Sequence, residues 1–145
     1  LVDGIYLGDK LLSDEVGQAA SKVSAVPTAR AVITEKQKEL GRQGGLVMEG
    51  RDIGTVICPE APVKIYLIAT AETRALRRKK QLEEKGQQAD YEALLSSIKA
   101  RDERDSSRAV APLKPAKDAV IIDTSSLNLE EVINQVLEIV AKYVS

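Results

Sequence analysis

The sequence predicts an α/β protein built on a parallel sheet flanked by helices, and three observations predict it. Two apolar runs, residues 63–69 and 119–122, are almost uninterrupted, as in parallel strands that are buried on both faces. Segments with helical periodicity alternate with the apolar runs. The chain has 145 residues and is 43% hydrophobic, which is enough to form the core of about one domain.

The first half of the chain predicts a short strand and two helices. Residues 4–7 favour the strand, and small apolar residues at helical spacing predict a helix over 14–25. Pro27 suits the first turn of a second helix, which runs to about Leu40 and ends at the glycines of 41–45. Further apolar runs at 46–48 and 55–58 are candidate strands.

The second half predicts three helices, each with a cap. Thr70 caps a helix over 71–84, and Asp90 caps one that reaches about Arg108. Asn128, followed three residues later by Glu131, resembles a capping box for a last helix over 129–143. The order strand, helix pair, strand, helix is typical of a parallel-sheet layer.

Composition excludes several classes of function. The net charge of -1 provides no basic field that would attract nucleic acid or an anionic membrane. With no histidine, Ser–His and Cys–His nucleophiles are excluded, and the single cysteine, Cys58, excludes an intrachain disulfide and a cysteine-rich zinc site. The sequence shows neither a membrane span nor a signal peptide, so we expect a cytoplasmic protein.

Three arginines of the helix over 71–84 form the first candidate site. Arg74, Arg77 and Arg78 share one helical face, and none has a carboxylate three or four residues away within the helix. Phosphate suits the planar guanidinium group, so this face is a candidate phosphate contact. The alternative is a solvated basic face.

A charged cluster near the end of the next helix forms the second. Arg101, Arg104, Asp105 and Arg108 are mutual neighbours on a helix, and one aspartate among three arginines leaves surplus positive charge. The cluster is suited to bind a sugar hydroxyl through Asp105 and a phosphate through an arginine. The alternative is a surface network of ion pairs.

A glycine-flanked turn forms the third. Arg51 and Asp52 stand in the sequence Gly-Arg-Asp-Ile-Gly at 50–54, directly after the apolar run at 46–48. Open α/β sheets bind ligands at the carboxyl ends of their strands, which favours a site here. The three basic clusters suggest an enzyme that handles phosphate, yet the P-loop motif G-x-x-x-x-G-K-[ST] does not occur in the chain.

These segments resemble the bacterial cytidylate kinase family, whose members phosphorylate CMP and dCMP. The resemblance covers nearly the whole chain, in order, and is carried by these segments: EVGQAASKVSA at 15–25, VMEGRDIGTV at 47–56, PEAPVKIYL at 59–67, RALRR at 74–78, RDERDSSRAVAPL at 101–113 and DAVIIDT at 118–124. It implies the P-loop nucleoside-monophosphate kinase fold, here without the N-terminal P-loop strand and helix. It also implies transfer of the γ-phosphoryl group of ATP to CMP or dCMP, giving ADP and CDP or dCDP.

The resemblance divides the chain into two parts. Residues 1–45 would be the remainder of the CMP-binding insert, and residues 46–145 the C-terminal part of the kinase core, with the lid around 75–105. The chain opens at Leu1 and its only methionine is Met48. We therefore expect a truncated piece that keeps most CMP-contacting residues, cannot bind ATP normally and is inactive alone.

The resemblance also implies which residues bind the base and the phosphate. Ser21, Arg30 and Asp52 would read the cytosine, with Asp52 accepting a hydrogen bond from the exocyclic amino group. Arg51 and Arg108 would clamp the CMP phosphate, Arg108 counting among the catalytic residues as well.

The remaining implied roles concern the ribose and the transferred group. Arg101 and Asp105 would hold the ribose side of CMP. Arg78, with Arg74 or Arg77, would come from the lid onto the transferring phosphoryl group, where arginines and Mg²⁺ supply most of the catalysis.

The expected partners are small nucleotides, CMP or dCMP and ATP, with no nucleic acid and no membrane. Mg²⁺ would arrive mainly on ATP, so no metal site built from protein ligands is expected. The full-length parent is compatible with a monomer, and an uncovered sheet edge invites this fragment to self-associate. The alternatives are a non-catalytic CMP-binding module or one half of a split enzyme; an in-frame P-loop motif upstream of Leu1 would exclude both.

Overall fold

The computed structural model of the chain describes residues 6–8, 11, 14–107 and 112–144, with only the backbone described at 14, 21 and 144. The chain divides into two compact units, Leu1–Leu46 and Val47–Ser145. No helix of the described ranges is long and apolar enough to cross a membrane.

The first unit contains two helices, α1 (Asp14–Val23) and α2 (Pro27–Arg42). Pro27 opens α2 after an extended Val26, as its fixed φ and missing N–H favour. Gly44 and Gly45, both with positive φ, follow the end of α2. Both predicted helices are confirmed. The predicted strand at 4–7 begins outside the described residues, and Tyr6 and Leu7 lie in no strand.

The second unit contains a small parallel sheet. Strands β1 (Ile65–Ile68) and β2 (Val120–Asp123) pair in parallel, with Ile65 opposite Val120 and Ile68 opposite Asp123. The Val120 N–H donates to the carbonyl of Lys64 at 2.9 Å, just before β1 begins. The two nearly continuous apolar runs are therefore confirmed as parallel strands, and the protein is of the α/β class.

The prediction of strands at 46–48 and 55–58 is wrong. Val47 is fully exposed, at 100% of its accessible surface, and the run around it has no strand partner. Residues Ile53–Ile57 form a π-helical turn instead. The N–H groups of Val56 and Ile57 both reach the carbonyl of Asp52, at 2.8 and 3.3 Å. These backbone donors are satisfied locally, so the run is not available to a sheet.

Helices α3 (Ala71–Glu84) and α4 (Tyr91–Ser106) pack against each other, and their predicted caps are confirmed. The Thr70 hydroxyl accepts from the N–H of Thr73 at 3.1 Å, and the Asp90 carboxylate accepts from that of Glu92 at 2.8 Å. Gly86, with φ 73°, ends α3 in the left-handed conformation that glycine adopts without strain. Helix α4 ends at Ser106, short of the prediction, and Arg108 lies outside the described residues.

Helix α5 (Leu129–Val144) follows β2 and starts with the predicted capping box. The Asn128 side chain accepts from the N–H of Glu131 at 3.0 Å, while the Glu131 carboxylate accepts from the N–H of Asn128 at 2.8 Å. The buried residues of the described part of unit two are few: Ile57, Ala75, Asp105, Ile122 and Thr124.

Candidate functional site

The glycine-flanked turn is fixed by packing around its two glycines. A Cβ at Gly50 would lie 2.9 Å from Cγ1 of Ile53, so the Ile53 side chain covers a position that only glycine leaves open. A Cβ at Gly54 would lie 3.3 Å from Cδ of Lys64. The largely buried Lys64 stem ends in an ion pair with Asp118 at 2.5 Å, at the amino ends of both strands. The turn that carries residues 51 and 52 is thereby held against the sheet.

Three residues predicted for the site meet at a buried carboxylate. Asp105, whose side chain is 1% exposed, forms an ion pair with the guanidinium group of Arg51. Nε of Arg101 lies 3.8 Å from the same carboxylate oxygen. A buried carboxylate requires such partners, because an unpaired charge in the interior is strongly unfavourable. Two cations and one anion leave a net positive charge, and the Arg51 side chain is still 32% exposed.

Arg74 is paired with an aspartate of α4 that is not among the residues predicted for the site. Its two terminal nitrogens donate to the two carboxylate oxygens of Asp102, at 3.0 and 2.5 Å, and its Nε donates to the carbonyl of Ala69 at 3.2 Å. The hydrogen bonds from Arg74 hold the pKa of Asp102 below its usual value, and the charges of Arg51 and Arg101 lower it further. The same pairing raises the pKa of Arg74.

Arg77 holds the turn that follows β2. One terminal nitrogen donates to the Thr124 hydroxyl at 3.1 Å, and the other to the backbone carbonyls of Thr124 and Leu127, the latter at 3.0 Å. The Thr124 hydroxyl in turn donates to the carbonyl of Ile68 at 3.0 Å. Arg77 thus joins α3 to the carboxyl edge of both strands.

Arg78 has a different kind of contact. Its guanidinium group donates to the side-chain carbonyl of Gln81 in the same helix, at 2.7 Å. Arg74 and Arg77 instead donate to α4 and to the turn after β2. The arginine face of α3 is therefore not simply a solvated basic face, since two of its three members bind other elements of the fold.

Comparison of the sequence with known proteins matches the chain to one family. A family model described as "Cytidylate kinase" matches residues 1–142. The chain belongs to the cytidylate kinase family. It is 46% identical over 143 residues to the cytidylate kinase of Pasteurella multocida (strain Pm70), a match that covers 99% of this chain and 63% of that protein.

Two further relatives are also cytidylate kinases and match the chain with similar identity and coverage. The cytidylate kinase of Klebsiella pneumoniae (strain 342) is 47% identical over 138 residues, covering 95% of the chain and 61% of the relative. That of Aliivibrio salmonicida (strain LFI1238) is 47% identical over 137 residues, covering 94% and 61%. The chain thus spans about three fifths of the length of the cytidylate kinases it matches, and its family is one of kinases, enzymes of nucleotide metabolism.

Three further residues predicted for the site, Asp52, Arg30 and Ser21, have surroundings of their own. Asp52 lies beside Arg51 in the turn, and its backbone carbonyl accepts from the Thr55 hydroxyl at 3.3 Å. Arg30 lies on α2 in the first unit, where its guanidinium group donates to the carbonyl of Ser24 at 3.4 Å. Ser21 lies on α1 with only its backbone described, so the roles given to these residues stay predictions.

The two buried or half-buried carboxylates of α4 face cations of the protein. Asp102 and Asp105 are bound by arginines, and within the described ranges no three or more His, Cys, Asp or Glu residues come together as a metal site would require. The arginines of this cluster suit an anionic ligand. The sequence carried one signal for Asp102, its position three residues before Asp105 on the same face of α4.

Proposed function

We propose that the protein to which this chain belongs is a cytidylate kinase that transfers the γ-phosphoryl group of ATP to CMP or dCMP, yielding ADP and CDP or dCDP. The family match over residues 1–142 is the observation that carries the proposal. The cluster of Arg51, Arg101 and Asp105 supports it, because surplus positive charge beside a carboxylate suits a sugar phosphate. The same match favours a kinase over a non-catalytic binding module.

The base would be selected by hydrogen bonds. In this proposal Ser21, Arg30 and Asp52 read the cytosine: Asp52 accepts from the exocyclic amino group, and Arg30 donates to the ring acceptors. Uracil presents a carbonyl at the amino position, which would leave the carboxylate facing an acceptor. Sites that select by buried hydrogen bonds discriminate strongly for this reason.

The phosphate and the ribose would be held by the charged residues of the second unit. Arg51 and Arg108 bind the CMP phosphate, and Arg101 and Asp105 hold the ribose side. Arg78 serves the transferring phosphoryl group, since phosphoryl transfer depends on alignment and charge neutralisation more than on a proton acceptor. Mg²⁺ enters as part of the MgATP substrate.

We further propose that the 145 residues alone have no ATP-dependent kinase activity. No P-loop motif occurs in them, and that motif supplies the backbone N–H groups that cradle a triphosphate. Purified chain incubated with MgATP and CMP should therefore produce no CDP above background. Robust CDP formation would refute this. A cytoplasmic location and self-association of the chain stay predictions.

Calorimetric titration of the chain with CMP and with UMP tests the binding site. We expect CMP to bind at least about tenfold more tightly than UMP, and Asp52→Asn to lose most of this preference. Lys114→Gln, a change at an exposed residue outside the proposed site, is the control and should keep the preference. Equal affinity for the two nucleotides would contradict the role proposed for Asp52, and binding of neither would contradict the site.

A further inference from the structure

Helix α4 carries two carboxylates on one face. Asp102 and Asp105 are three residues apart, so their side chains are neighbours on the helix surface. Each is bound by an arginine from a different element: Asp102 by Arg74 of α3, and Asp105 by Arg51 of the glycine-flanked turn. Arg51 thus binds the helical neighbour of Asp102, and its charge also lowers the pKa of Asp102.

We propose that Arg74 is a positioning residue for Arg51: by binding Asp102 at two points, it keeps the second carboxylate of α4 from drawing Arg51 away from a phosphate-bearing ligand. The identity of that ligand as CMP rests on the function proposed above. Three of the five N–H groups of Arg74 donate to Asp102 and to the carbonyl of Ala69. The hydrogen bond to Ala69 fixes the guanidinium group at the end of β1.

In this proposal, Arg74 acts by preventing Asp102 from competing with the phosphate for Arg51. Without Arg74, the half-buried Asp102 loses its ion pair, and a carboxylate in such a place takes the nearest remaining cation. Arg51 and Arg101 are the cations that already act on it. A second carboxylate on Arg51 would occupy N–H groups that a phosphate needs, because a guanidinium group has a limited set of donors in fixed directions.

The test is a set of variants of the 145-residue chain, titrated calorimetrically with CMP and with inorganic phosphate. Arg74→Met should weaken both ligands about tenfold, roughly the loss of one charge-assisted hydrogen bond. The double variant Arg74→Met/Asp102→Asn lacks the same contact between α3 and α4 but also lacks the competing charge. We expect it to bind within about twofold of the wild type, and Asp102→Asn alone to bind no more weakly than the wild type.

A matched control comes from the neighbouring ion pair between the same helices. Lys99 lies 2.9 Å from Glu72, so Lys99→Met also removes an ion pair between α3 and α4 but leaves the cluster intact. It should leave both affinities within about twofold of the wild type. A loss as large as that of Arg74→Met would show that helix docking, rather than charge competition, sets the affinity, and would overturn the proposal.

The other outcomes separate this proposal from the proposed function. A double variant as weak as Arg74→Met overturns the positioning role, as does weakened binding in Asp102→Asn. The expected pattern with phosphate, together with equal affinity for CMP and UMP in the titration proposed above, supports the positioning role and refutes cytidine selection. Binding of neither ligand by the wild type refutes both. If circular dichroism shows Arg74→Met unfolded, Arg74→Gln takes its place under the same criteria.

Discussion

Replacing Thr124 with valine should destabilise the second unit by about 2 kcal/mol. Thr124 is 6% exposed, and its hydroxyl both donates to the Ile68 carbonyl at 3.0 Å and accepts from Arg77 at 3.1 Å. Valine keeps the shape and loses both hydrogen bonds. The neutral bond contributes about 1 kcal/mol. The bond from Arg77 involves a charged donor on an exposed side chain, so we take about 1 kcal/mol rather than the larger value for buried donors.

Urea unfolding followed by circular dichroism measures this difference, and a thermal melt should show the midpoint lowered by roughly 8–16 °C for a unit of this size. Thr124→Ser is the matched control, since it keeps the hydroxyl and loses only a methyl group, for about 1 kcal/mol or less. A double-mutant cycle with Arg77→Met isolates the charged bond and should give a coupling of about 1 kcal/mol. A valine variant no less stable than the serine variant, or a coupling near zero, would refute the reasoning.

Three further outcomes follow from the structure. Because its ion pair lowers the pKa of Asp102 in the folded state, that pair stabilises the protein above the unfolded pKa of about 3.9 and is lost as pH falls through the folded value. Asp102→Asn should therefore flatten the decline of urea midpoints below about pH 4, and an unchanged acid slope would contradict this. Asn128→Ala should lower the free energy of unfolding by about 1 kcal/mol through loss of the cap, which urea unfolding measures; an unchanged midpoint would show that the cap is unimportant. Gly50→Ala should destabilise by about 1–3 kcal/mol in the same assay by displacing Ile53, and Ile53→Ala in the same background should recover part of the loss; additive effects would exclude this contact.

Elements with local determinants were predictable from the sequence. The caps at Thr70, Asp90 and Asn128 use hydrogen bonds that span two or three residues, so the residue types alone indicate them. The two strands were predictable because nearly continuous apolar runs are typical of parallel sheets. The run at 55–58 is similarly apolar, but its backbone N–H groups donate to the carbonyl of Asp52 instead of to a neighbouring strand. Composition alone does not predict this difference.

The candidate site was predictable only where its residues share a helix. Arg101 and Asp105 are four residues apart on α4, and their contact follows from helical spacing. Asp102 and Thr124 could not be assigned as arginine partners, because they lie 28 and 47 residues along the chain from the arginines they bind. Arg74 and Arg77 have no carboxylate three or four residues away in α3, which indicated that each binds a partner from elsewhere. The sequence could not distinguish a phosphate ligand from a distant residue of the same chain as that partner.

The placement of ion pairs along the α3–α4 hairpin has a consequence for how it opens. Pairs between the two helices join Glu72 to Lys99 and Arg74 to Asp102, where α3 begins and α4 nears its end. Toward the turn at Gly86, the acidic residues Glu83 and Glu84 pair with lysines of their own helix. Local fluctuations should therefore start at the turn and stop at the paired base, so that amide hydrogen exchange is fast near residue 86 and becomes steadily slower toward the sheet. The turn of the hairpin can then move relative to the sheet, while the interhelical ion pairs keep Arg74 in place at the other end.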